Sequence, residues 1–269
     1  MKRIMTLSLL AAILLGAGPF ITGSQTVSAE GSLDGTGSIK FTGDYDDVGI
    51  RDPENPDNTV DAGESPSSSG KLRIDFVPQF NFTGRNKISD KDMIYSVNAQ
   101  LFHDATEARG NFIQVSDYRG GATGWTLRLK QETQFQNTKT SNNQLNGAVL
   151  SLDKSWTNST VDKAYAPVVS GDIIRLENIG ETYNLAEAKT GTGAGTWSIS
   201  FGASSDNPLG RENSLKPKVE SDGKPMLDAS FENKQIQENS AITLSIPGTT
   251  KKDPVPYTTV LTWTLAELP

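Results

Sequence analysis

The sequence predicts an all-β protein, an antiparallel β-sandwich of Greek-key type with long loops. Three observations carry that expectation. Apolar residues recur at every second position in short runs, the period of a half-buried strand. Glycine and proline, 25 and 13 of 269 residues, punctuate those runs. No stretch of about a dozen residues shows a helical period.

Taken in order, the chain opens with a leader. Lys2 and Arg3 precede a mostly apolar run over residues 4–15, and Val27-Ser28-Ala29 supplies the small residues of a cleavage site before Glu30. Residues 1–29 therefore read as a signal peptide, and the chain is expected to be exported. No cysteine follows the apolar run, which excludes a lipid-anchored lipoprotein. Residues 30–50 hold one short alternating strand, Ser38-Ile39-Lys40-Phe41-Thr42, with Ile39 and Phe41 on one face. Residues 51–70, rich in Asp, Pro and Ser, read as a flexible linker or exposed loop.

The domain proper is expected over residues 71–269. Leu72, Ile74 and Phe76 alternate, as do Tyr95, Val97, Ala99 and Leu101, then Ile113 and Val115, then Trp125, Leu127 and Leu129. Ala148, Leu150 and Leu152 follow, with Ile174 and Leu176, Trp197, Ile199 and Phe201, Ile242, Leu244 and Ile246, and finally Leu261, Trp263 and Leu265. The insertions leave room for short helical turns, around residues 184–189.

Composition limits the chemistry. With 35% hydrophobic and 21% charged residues, the chain is not wholly disordered. It has no cysteine, hence no disulfide, thiolate nucleophile or cysteine metal site, and its one histidine forms no multi-histidine cluster. The net charge of −7 becomes more negative once Lys2 and Arg3 leave with the leader. Such a surface has no bulk attraction for nucleic acid, anionic lipid or teichoic acid. After Trp263 the sequence shows neither a membrane-spanning tail in the mature chain nor a Leu-Pro-x-Thr-Gly sorting signal, so release or noncovalent retention is expected.

Two phrases stand out, Gly124-Trp125-Thr126-Leu127-Arg128-Leu129 and Leu261-Thr262-Trp263-Thr264-Leu265. In a strand, each Trp shares a face with its Leu while the Thr faces away. A Trp side chain carries about 150–250 Å², worth roughly 4–6 kcal/mol at about 25 cal/mol per Å² if wholly removed from water. Each ring is therefore core or contact surface. With the leader, the Asp52-Pro53-Glu54-Asn55-Pro56 run and the phrase Leu72-Arg73-Ile74-Asp75-Phe76-Val77-Pro78, the chain resembles the WxL-domain family of Gram-positive bacterial cell-surface proteins. The resemblance implies noncovalent attachment to the cell wall with peptidoglycan as ligand. It maps the family's two motifs onto Trp125 and Leu127, and onto Trp263 and Leu265. It also implies a WxL-interacting, membrane-anchored surface protein as partner, and a role in adhesion to host or plant material.

Competing readings stand beside it. The same Trp and Leu residues fit sandwich packing. Trp197 reads as core, and Trp156 as a loop or rim aromatic suited to stacking on a sugar. A subunit of a surface protein complex, or an adhesin for matrix or plant polymers, is the second function class.

An enzyme is not expected, and neither a cofactor nor a metal is assigned. Ser151-Leu152-Asp153-Lys154 and Ser221-Asp222-Gly223-Lys224 fit the S-x-x-K pattern of penicillin-binding enzymes, beside Lys189-Thr190-Gly191 and Ser205-Asp206-Asn207. The first lies on a predicted strand, the second on a turn, and the remaining two stand in the reverse order. His103 has no nucleophile elbow to serve. Asp44, Asp46 and Gly49 start like a calcium loop, but Val48 and Asn55 occupy ligand positions, leaving a solvated acidic loop or a looser calcium site as alternatives.

Overall fold

The alternating runs fold as strands over residues 48–84 and 86–268, the residues that the computed structural model describes. The leader, the Ile39/Phe41 run and the acidic residues Asp44, Asp46 and Asp47 lie outside them. The first strands are β1 (Ile50–Arg51), β2 (Thr59–Val60), β3 (Leu72–Phe76), β4 (Met93–Asn98), β5 (Asn111–Asp117) and β6 (Trp125–Gln131). Then come β7 (Val149–Leu152), β8 (Ser155–Asn158), β9 (Val168–Val169), β10 (Ile174–Leu176), β11 (Thr182–Ala188) and β12 (Gly195–Phe201). The last are β13 (Leu215–Pro217), β14 (Leu227–Asp228), β15 (Lys234–Gln235), β16 (Gln237–Ile246) and β17 (Leu261–Glu267). Among the described residues, helix is confined to two single 3-10 turns, Lys163–Tyr165 and Ala229–Phe231.

Every strand pairing is antiparallel. Three larger sheets result. One has the order β10-β7-β16-β13 with β4 also paired to β16, the second β17-β6-β11-β9, and the third β3-β5-β12-β8. Leu150 and Ile242 of the first, Leu127 and Leu129 of the second, and Ile113 and Trp197 of the third belong to one buried cluster. The all-β expectation holds, with three sheets around a shared core.

The structure differs from the expected linker at residues 51–70. β1 and β2 pair as a hairpin, with Ile50 opposite Val60. The reason lies in β5, whose seven residues are all buried. Ile113 and Val115 face the main core, whereas the opposite face carries Phe112, Gln114 and Ser116. The hairpin covers that face: the Arg51 backbone N–H donates to Gln114 Oε1 at 2.7 Å, and Gln114 Nε2 donates to the Gly49 carbonyl at 3.0 Å. Val60, Ala62, Phe76, Phe102 and Phe112 form a second small core beneath it.

Two acidic residues of this segment, Asp52 and Glu54, are buried as well. Asp52 accepts two hydrogen bonds from Arg109, at 2.9 and 3.0 Å, and Glu54 accepts from the Ser204 backbone N–H and hydroxyl at 2.7 and 2.5 Å. Residues 61–69 then run back along β3, where the Ser65 hydroxyl bridges both backbone groups of Val77 at 2.9 Å. Residues 48–70 thus belong to the same compact unit as the later strands.

Two further expectations change. Of residues 184–189, where the sequence left room for helical turns, 184–188 belong to strand β11, which carries a bulge between Asn184 and Ala186. Leu185 and Ala186 are consecutive and both buried, which disrupts the period of two. Trp156 is not a rim aromatic. It lies on β8, is 3% exposed, and donates from Nε1 to the Gly202 carbonyl at 2.8 Å. Trp197 is core, 1% exposed.

Candidate functional site: two Trp-x-Leu strands beside an apolar cleft

The two Trp-x-Leu phrases, far apart in sequence, lie on neighbouring strands. β17 pairs with β6 so that Leu265 stands opposite Leu127, Trp263 opposite Leu129 and Glu267 opposite Trp125. Directly paired residues in an antiparallel ladder share a face. The motifs therefore make one continuous apolar patch, with the two leucines side by side at its centre and a tryptophan towards each end.

The two halves of the patch have different surroundings. Trp125 and Leu127 are 0% exposed. The Trp125 indole donates to the Gly193 carbonyl at 3.1 Å, which satisfies its one polar atom inside the core. That fit requires glycine: position 193 has φ +78°, and a Cβ there would lie 2.7 Å from Trp125 Nε1 and 2.3 Å from Ala188 Cβ. A ligand in solvent has no access to either motif residue of β6.

Trp263 and Leu265 are half-buried on β17, the edge strand of its sheet. Hydrogen bonds from Glu132 N to Val260 O and from Leu268 N to Gly124 O place the inward-turned peptide groups at even-numbered positions. The N–H and C=O of Leu261, Trp263 and Leu265 consequently point away from β6, towards the open edge. The far end of the strand is pinned by Arg119, which reaches Glu267 at 3.1 Å and Asp117 at 2.8 Å. The Asp117 hydrogen bond is the main reason the Arg119 guanidinium is held above its ordinary pKa, against the effect of its burial.

Beside this edge opens a cleft of about 1430 Å³. Leu261, Thr262 and Trp263 form part of its wall, and the Trp263 ring meets Phe80 edge-on at 5.9 Å. Its floor includes Leu150, Leu244 and Ile246 of the first sheet. Tyr95 and Tyr257 add aromatic surface, with Gln79, Asn81, Asn86 and Thr259 as hydrogen-bonding groups. Tyr257 is fixed by its own hydroxyl, which donates to the Asn142 carbonyl at 2.7 Å and accepts from the Asp253 N–H at 2.9 Å. A largely apolar concavity with a few amides and hydroxyls, and with Lys87, Lys252 and Asp253 also in its lining, suits a ligand that presents both apolar faces and polar edges.

The sequence singled out Trp263 but not Phe80 or Tyr257. The alternation of Phe80 and Phe82 is visible, yet it follows Pro78 in a loop, and Tyr257 sits alone between Pro256 and Thr258. Only the third dimension joins these rings.

The serine-acylase patterns do not assemble into a site. Ser151 is buried on β7 between Arg175 and Thr243, and the Lys154 amine is paired with Glu212 at 2.8 Å. Ser221 to Lys224 and Ser205 to Asn207 fall in turns or irregular chain, away from any helix. His103 stacks on Phe231 with ring centroids 4.6 Å apart. Among the described residues, no group of three or more histidine or carboxylate side chains is placed to hold a metal ion, and no helix is long and apolar enough to cross a membrane.

Comparison with known proteins adds the biological setting. A search of curated proteins and a search of solved structures each returned no match. A family model described as WxL domain surface cell wall-binding matches residues 28–269, nearly the whole chain and both Trp-x-Leu phrases. The chain therefore belongs to the WxL-domain family of surface cell-wall-binding proteins, and its place is at the cell surface.

Proposed function

We propose that the chain is secreted and held noncovalently at the Gram-positive cell wall, binding peptidoglycan in the cleft beside Trp263, without acting as an enzyme. The observation that carries this reading is the partition of the two motifs. One is sealed in the core and shapes the sheet, and the other borders a large cleft whose apolar rings and amides suit both the sugar faces and the peptide groups of that polymer. Membership of a cell-wall-binding family supplies the class of ligand.

The test is retention on purified peptidoglycan stripped of teichoic acid. Wild type and Trp125→Phe, which keeps an aromatic ring in the core and is verified as folded, are expected to sediment with the polymer. Trp263→Ala and Tyr257→Ala, verified as folded, are expected to stay mostly in solution. Equal retention of all four would remove the cleft from the reading, and no retention of wild type would end it.

The open edge of β17 favours a second reading, in which the chain is a subunit of a surface complex or an adhesin. Its outward peptide groups offer a ladder to an extended segment of another protein, the WxL-interacting membrane-anchored protein among the candidates. A surface protein that copurifies while the chain alone shows no glycan retention would favour this reading.

A further inference from the structure

On the far side of the first sheet, away from the main core, a lysine and an asparagine meet. Lys218 follows β13, and its backbone N–H donates to the Ile236 carbonyl just before β16. Its side chain crosses β16 to β4, where Nζ lies 3.1 Å from Asn98 Oδ1 and 2.5 Å from the Thr83 carbonyl. Asn98 is held on both sides. Its backbone N–H donates to the Asn81 carbonyl at 2.7 Å, and its Nδ2 donates to Thr83 Oγ1 at 2.5 Å. The backbone at Gly84 closes over the amine, since a Cβ there would fall 3.2 Å from Lys218 Cε.

A carboxylate completes the group. Glu238 is the direct cross-strand partner of Asn98, so the two side chains leave the same face of the sheet. Its carboxylate makes no hydrogen bond or ion pair among the described residues, and it lies within electrostatic reach of Lys218. Burial holds the Lys218 amine below the usual lysine range, although Glu238 pulls the other way. A partly desolvated amine retains more of the neutral, nucleophilic form.

The geometry points to an intramolecular amide cross-link between Lys218 Nζ and Asn98 Cγ, formed with the help of Glu238. The neutral amine attacks Cγ and gives a tetrahedral intermediate. Glu238 takes the proton from the attacking nitrogen and delivers it to Nδ2, the C–Nδ2 bond breaks, and ammonia departs. One C–N bond forms and one breaks, with no oxidant or co-reactant. The chain contains no cysteine, so a disulfide is not open to it. This link would tie β13 to β4 across β16, joining residues 120 apart in sequence.

Intact-mass spectrometry of the folded, full-length secreted chain, isolated as a single species by size exclusion, tests the inference. Wild type is expected to weigh less than its sequence mass, after leader removal, by one ammonia molecule. Its tryptic digest is expected to contain one branched peptide joining the Asn98 and Lys218 segments. Lys218→Arg and Asn98→Ala are expected at their full sequence masses, with a lower melting temperature than wild type. Glu238→Gln is expected to fold yet stay unlinked; if it links as completely as wild type, Glu238 has no part in the reaction. Wild type that is folded and carries its full sequence mass, with only linear peptides in the digest, would overturn the cross-link.

Discussion

Trp125 and Trp263 carry the same three-letter phrase and do different physical work. Trp125 fills the core and its indole N–H is satisfied by Gly193. Trp125→Ala leaves a cavity the size of an indole and is expected to cost about 3–5 kcal/mol. Urea denaturation is the measurement, and any loss of wall retention in that variant should track loss of fold. Trp263 is half-buried, so Trp263→Ala is expected to cost about half as much while abolishing retention in protein that remains folded. Gly193 belongs to the same unit. A side chain there meets Trp125 and Ala188 and must adopt φ +78°, so Gly193→Ala is expected to destabilise by about 1–3 kcal/mol. Its native-state tryptophan emission should shift to longer wavelength if the Trp125 ring is displaced into a more polar site.

At the scale of elements, the β1–β2 hairpin is held as much by buried charge as by apolar contact. Burial opposes ionisation of Asp52, but hydrogen bonds from Arg109, the Glu54 N–H and Asn55, with the charge of Arg109, outweigh it and hold the carboxyl below its ordinary pKa. A carboxyl depressed on folding stabilises the fold fully above its unfolded value of about 3.9. That contribution is lost as pH falls through the lower folded value. Arg109→Ala strands Asp52 and Glu54 without their cation and is expected to cost about 3–5 kcal/mol near neutral pH. The wild-type advantage over this variant should shrink as pH falls, starting where the buried Asp52 of the variant, without its cation, takes up a proton and ending below the depressed folded value of the wild type, which denaturation midpoints across an acid series would measure. This hairpin also marks where the sequence was hardest to read. Strands such as β3, β6, β12 and β17 announce themselves because each turns apolar residues to one face at every second position. The Asp/Pro run showed no apolar alternation, since the partners that make the burial of Asp52 and Glu54 tolerable, Arg109 and Ser204, lie far along the chain. β11 was hidden by its bulge, and β8 by having a single inward residue, Trp156, among polar neighbours.

For the whole molecule, the sequence announced the motif residues but not their separation into core and cleft. Period-two patterning says which side of a strand a residue takes, and it is silent on whether another sheet covers that side. β6 is an inner strand flanked by β17 and β11, so its tryptophan is sealed, whereas β17 has a neighbour on one side only. The same arrangement governs how wall binding should respond to salt. The chain is net anionic, −7 with the leader and more negative without it, so attraction between net charges does not draw it to an anionic wall. The cleft is lined mainly by rings, aliphatic side chains, amides and hydroxyls, whose contacts are short-ranged and little screened; of its charged residues Lys87, Lys252 and Asp253, Lys252 is engaged by the Thr250 carbonyl and Asp253 by Thr140 and Asn142. Raising ionic strength from about 0.15 to 1 M shortens the Debye length from about 8 to 3 Å and removes most long-range charge effects. Retention on peptidoglycan is therefore expected to change by less than about threefold over that range, corresponding to less than about 0.7 kcal/mol. If instead retention collapses by moderate salt, ion pairing rather than the Trp263 cleft holds the protein to the wall, and retention of Trp263→Ala at low salt should then equal that of wild type.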